Sequence, residues 1–201
     1  MRCPILSCVA VAGKYNKYPA QPPPARAGRA PVGLRQFALA VHDVEGVPAA
    51  CVLLQDRFDL DVNVLLLGAY IGVQGKTLTA DDVDAARAVV DTWHTEVVRP
   101  LRAVRRRLKS GPAPAPDART ASLRRHVAGS ELDAELVELD ELGRWADEFD
   151  APRGAGSVVE HTTTAMELVV QSYDGGTVDG AVAAALAVIA TAAGRQEGAP
   201  T

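Results

Sequence analysis

The chain has 201 residues, 48% of them hydrophobic but only 4% aromatic, and a net charge of −4. Its length suits one domain of ordinary size with tails, and an apolar fraction drawn mainly from Ala, Leu and Val favours helix over sheet. The first 33 residues hold Arg2, Lys14, Lys17, Arg26 and Arg29 and no acid, so the body is near −9 and argues against a non-specific nucleic-acid binder.

Cys3, Cys8 and Cys51 have neither disulfide-framework nor zinc-ligand spacing, so a reducing, cytoplasmic setting is the plain reading. The longest apolar stretches, 62–73 and 181–193, fall short of the ~20 residues that a membrane-spanning helix needs. Residues 1–33 open with "MRCPILSCVAVAG", whose apolar run only just meets the requirements of a targeting segment, and continue with the Pro-rich "YPAQPPPARAGRAP". A disordered basic extension is expected there.

Helices then follow in order. Residues 34–43 place Phe37, Ala40 and Val41 on one face, and Pro48 suits the first turn of a helix over 48–58. A third runs over about 62–73. Thr79, with Asp82 three places on, reads as a helix cap, and an apolar series from Val83 to Leu108 continues that helix far, with a kink expected at Pro100. "SGPAPAPDAR" (110–119) is a loop. A second long helix is expected over 120–149, then helices near 157–173 and 178–193. The expectation is an all-α fold, an irregular bundle of six or seven helices in one domain over 34–195, with a short tail at 196–201. Residues 99–109 carry six basic residues and no acid, whereas 131–150 carry nine acids and one Arg. The two long helices should therefore pair as an antiparallel hairpin with these faces opposed, through exposed pairs worth about 0–1 kcal/mol each.

Two motifs mislead. Gly75-Lys76-Thr77 ends like a phosphate-binding loop, but such a loop needs Gly at position 70, where Tyr stands, and a strand before it. Gly72 and Gly75 are instead expected to end one helix. "DLDVN" (59–63) starts like a calcium loop, yet Val64 and Tyr70 occupy the positions that demand Gly and an acid. His42, His94, His126 and His161 are scattered, three of them in or beside polar faces, so ordinary roles are expected. No nucleophile stands with a base, and no cofactor, metal or catalytic residue is indicated.

Two stretches carry the candidate residues. "LLQDRFDLDVNVLLLGAYIG" (53–72) sets Gln55, Asp56, Asp61 and Asn63 between apolar runs. Asp61 suits a helix cap, with Leu60 and Leu65 as its hydrophobic staple. The other three ask for a shared hydrogen-bond network or a ligand or partner site. "WHTEVVRPLRAVRRRLK" (93–109) puts Arg99, Arg102 and Arg106 on one face with Arg105 and Lys109 beside it, either a solvated or acid-paired face or an anion site.

Together with "FALAV" (37–41), these stretches resemble a family of small bacterial proteins of unknown function, frequent in proteobacteria, over about 36–142. Gln55, Asp56, Asp61, Asn63, Trp93, Glu96, Pro100, Leu101, Arg102, Arg105 and Arg106 fit its pattern. Asp59 stands where the family has Gly, at a position expected to be left-handed. The resemblance implies a fold class but no chemistry. The residues first suggest a non-catalytic partner-binding or accessory module, with an unidentified protein partner and no nucleic acid. The alternative is a small-molecule protein, possibly an enzyme, whose Gln55/Asp56/Asp61/Asn63 and Arg102/Arg106 groups converge on one polar or anionic ligand.

Overall fold

A computed structural model describes residues 33–197; the N-terminal extension expected over 1–33 lies almost wholly outside them, as do Cys3, Cys8 and residues 198–201 of the expected tail. Among the described residues the chain forms α1 (Leu34–His42), α2 (Val47–Phe58), α3 (Val62–Val73), α4 (Ala80–Trp93), α5 (Arg99–Ser110), α6 (Ala118–Glu148), α7 (Val158–Gln171) and α8 (Gly180–Glu197). A π turn, His94–Val98, joins α4 to α5 without a break, so the eight α-helices make seven rods. No strand occurs among the described residues, and the fold is all-α.

Helix α3 is the centre. It is apolar all round, and every residue from Val62 to Gly72 is buried, as a helix surrounded by others must be. α1, α4, α6, α7 and α8 all pack on it. The closest approach is to α7. A Cβ on Gly72 would lie 2.5 Å from Thr162 Cα and 2.7 Å from Thr162 N, and one on Gly68 would lie 3.1 Å from Val169 Cγ2. Gly72 is thus a packing glycine inside the helix rather than a terminator. The stop comes from Gly75, whose φ of 70° is left-handed.

Three starts carry full capping boxes, Thr79 with Asp82, Asp117 with Thr120 and Ser157 with Glu160. Lys76 is held in structure: its Nζ donates to the Phe149 carbonyl at 2.7 Å and sits over the Phe149 ring, while Thr77 N donates to Pro152 O. The long rod differs from its sequence reading. Pro100 lacks an N–H, and the turn just before it opens into i→i+5 spacing over His94–Val98 rather than a simple kink.

α5 and α6 do form the antiparallel hairpin. Arg102 faces Glu131 and Glu135, and Arg105 faces Glu131. These pairs are buried rather than exposed, since Arg102, Glu131 and Glu135 are 7%, 1% and 1% accessible. Among the described residues no single helix is long and apolar enough to cross a membrane.

Candidate functional site

The polar residues of the α2–α3 junction and of the long rod meet on one face of α6. Steps of four and three bring Glu131, Glu135 and Glu138 to that face, and all three are buried. Asp61 opens α3 as its N-cap, its Oδ1 accepting from Asn63 N at 2.8 Å. Leu60 and Leu65, the expected staple, are both fully buried. Asn63, one residue inside the helix, donates through Nδ2 to Glu135 O at 3.1 Å and to Glu138 Oε2 at 2.7 Å.

His94, the first residue of the π turn, is buried and meets both carboxylates through one atom. Its Nδ1 lies 2.9 Å from Glu138 Oε1 and 3.2 Å from Asp61 Oδ2. One ring nitrogen carries one proton. The shorter contact takes it, so Asp61 Oδ2 is close but accepts no hydrogen bond. Burial alone would lower the His94 pKa, yet the close contacts and charges of Asp61 and Glu138 outweigh it and lift it to about 10. The two carboxylates part ways. Burial opposes the Asp61 charge, but His94, the Asn63 N–H and Arg102 together hold its carboxyl below the ordinary value. Burial, then the Asp61 charge, raise that of Glu138.

A second cluster stands beside the first. Arg102 Nη2 donates to Glu135 Oε1 at 2.8 Å and Nε to Glu131 Oε1 at 3.3 Å. With the Gln55 amide turned so that both partners are satisfied, its oxygen accepts from Arg102 Nη1 and Nη2 at 2.8 and 3.2 Å. Burial pushes the Glu135 carboxyl up to about 7 despite Arg102.

The first cluster opens onto a cavity of about 490 Å³. Its buried end is Asp61 and His94, with Tyr173 beside them; its apolar wall is Phe58, Val64 and Val90. Arg87, Arg99, Asp59, Asp91 and Asp174 bring charge of both signs to it. Arg87 is fixed by a 2.7 Å bond to Ser172 O and by the Tyr173 ring beneath it. Arg99 pairs with Asp59. The Tyr173 hydroxyl accepts from Asp61 N at 3.2 Å, and burial and the Asp61 charge push its pKa up to about 12, so it keeps its proton.

The structure brings Gln55, Asp61, Asn63, Arg102 and Arg105 into the two buried clusters. Asp56 and Arg106 pair outside them on the surface, 2.7 Å apart. Trp93 is half-exposed and donates through Nε1 to Ala134 O at 3.1 Å, and Glu96 is exposed. Of these residues, Asp61 lines the cavity; its arginines are Arg87 and Arg99, not Arg102 and Arg106. His42 and His94 are buried, contrary to the expectation of polar faces. The sequence reading missed His94, Glu138 and Tyr173. The signal for Glu138 was present: it sits four residues before Leu142 and seven before Trp145, inside the apolar stripe of α6.

The model of a family described as "Protein of unknown function (DUF2390)" matches residues 33–142, more than half of the chain. Asp61, His94 and Glu138 fall inside that span, and the Ser172–Asp174 wall of the cavity falls outside it. No curated protein and no solved structure matches the chain.

Proposed function

The chain belongs to the DUF2390 family of proteins of unknown function, and we propose that this member binds a small polar molecule in the cavity beside Asp61 and His94. One observation carries the reading: a cavity of about 490 Å³, the size of a small-ligand site, ends on a buried ionised pair rather than on apolar side chains. A ligand there would meet the Tyr173 hydroxyl and the imidazolium as donors, with Arg87 and Arg99 able to hold an acidic group. The basic face of the hairpin supports a partner surface less well, because Arg102 and Arg105 are taken up by Glu131 and Glu135.

The test is thermal unfolding of the full chain against a library of carboxylates, phosphates and zwitterions. A ligand at ~100 times its Kd adds about 2.7 kcal/mol, roughly 5–10 °C for a chain of this size. The shift should vanish in Arg87→Ala and shrink in Tyr173→Phe. A library without any hit, or a hit indifferent to both substitutions, would refute the reading.

A further inference from the structure

We infer that Asp61, His94 and Glu138 form a binding site for a divalent first-row transition-metal ion, reached through the cavity. The three residues come from α3, the π turn and α6, and one ligand atom from each lies within 4.8 Å of the others. A carboxylate oxygen and an imidazole nitrogen each about 2.1 Å from one ion stand about 3.4 Å apart at tetrahedral angles and, at the right angles of six-coordination, about 3.0 Å apart. The Nδ1 distances of 2.9 and 3.2 Å bracket the latter value. The ion would take the place of the Nδ1 proton.

A second observation points the same way. Asp61 is 5% exposed, yet its Oδ2 accepts no hydrogen bond while aimed at that nitrogen. One proton cannot serve two carboxylates; one cation can. Glu138 is oriented from behind by Asn63 Nδ2, the outer support that metal-ligating carboxylates have. One imidazole with two carboxylates suits Zn²⁺, Mn²⁺ or Fe²⁺ better than the all-oxygen preference of Ca²⁺ or Mg²⁺. Three protein ligands leave positions open, and the cavity reaches Asp61 and His94, so those positions face it. The inference does not depend on the small molecule proposed above.

The experiment uses the full chain, stripped with a chelator and titrated with Zn²⁺ and with Mn²⁺ by calorimetry. The imidazole resonances are followed by NMR during the Zn²⁺ titration. About one equivalent should bind, and the His94 signals should shift while those of His126, twelve residues and roughly 18 Å before Glu138 along α6, do not. Glu138→Gln and His94→Gln should each weaken binding by at least about 100-fold, and Asn63→Ala by about 10–100-fold. Arg57→Ala, which removes an exposed ion pair with Asp179 away from the cavity lining, should leave it unchanged. Absence of binding at about 1 mM metal, a zinc shift confined to other histidines, or wild-type affinity in Glu138→Gln would overturn the site. If Glu138→Gln does not fold, the wild-type NMR titration decides alone. Glu138 does not line the cavity. A small-molecule shift that survives in Glu138→Gln without metal binding would separate the two sites, and metal binding without any small-molecule hit would uphold this inference while refuting the cavity reading.

Discussion

Arg102 and Glu135 meet inside the hairpin at 2.8 Å, on helices joined by a seven-residue loop, with only 8% and 1% of their side chains accessible. Burying two charges costs several kcal/mol for each ion, and attraction repays that only while both are present. Arg102→Leu leaves Glu135 and Glu131 facing an apolar side chain and should cost about 3–5 kcal/mol. Adding Glu135→Gln to Arg102→Leu should restore part of the loss. Urea denaturation of the two variants checks the order; a double variant no more stable than the single one would show that the pair is not the source.

Two glycines should respond in opposite ways to alanine. Gly72→Ala drives a methyl group into the Thr162 backbone, which cannot turn aside as a side chain could, and should cost about 3 kcal/mol or more. Gly129 lies inside α6 with nothing within 4 Å of a Cβ. Gly129→Ala should stabilise by about 0.5–1 kcal/mol through helix propensity alone. Thermal melts of both variants make the comparison.

Much of this arrangement is legible in the sequence. Thr79 and Asp82, Asp61 before its apolar run, and the opposed charges of α5 and α6 are local or periodic signals, and each appears where the pattern puts it. What escaped is what depends on contact between distant segments. Nothing near Gly72 says that Thr162 comes to lie against it. His94 looked ordinary because Asp61 and Glu138 lie on other helices. Glu138 was lost in an acidic run read as the partner of the basic face of α5, although its place in the apolar stripe of α6 marks it for burial. Pro100 announces a disturbance, but its sequence does not say whether the helix will bend or widen.

His42 gives a pH prediction. It is 2% exposed, neither ring nitrogen has a partner, and burial lowers its pKa to about 4, with Asp43 offsetting a little. The folded pKa lies below the unfolded value of about 6.5, so the native state refuses a proton that the unfolded chain accepts. Stability from this group is complete above pH 6.5 and is lost as pH falls towards 4, by about 3 kcal/mol in all. Glu135, raised to about 7, works in the opposite sense between pH 4.5 and 7. The measurement is therefore a difference: the stability of His42→Leu minus that of wild type should grow as pH drops from 7 to 4. At pH 7 the variant should already be the more stable, by about 1–3 kcal/mol, because two unpaired buried nitrogens are gone. A pH-independent difference would contradict the account.

Asp59 takes φ 50° and ψ 30° at the end of α2. The left-handed region costs an ordinary residue about 1–2 kcal/mol, Asp less and Gly nothing. Asp59 also pairs with Arg99, but both side chains are about half-exposed or more, and such a pair adds about 0–1 kcal/mol. The melting temperatures should fall in the order Gly at least equal to Asp, and Asp above Ala. An Ala variant as stable as Gly would show that the backbone at this point is not held left-handed.

The widened turn sets the angular phase of the long rod. Between His94 and Arg102 an unbroken α-helix would advance about 800°, some 80° beyond two full revolutions. A turn with i→i+5 spacing holds one residue more than an α turn and takes back about 100°. The two amounts nearly cancel. His94 and Arg102 therefore look towards the same side, and both meet α6, one at Glu138 and the other at Glu135. Without that retarded turn the two side chains would leave the rod about 80° apart, at opposite edges of one helix face, and could not both point squarely at α6.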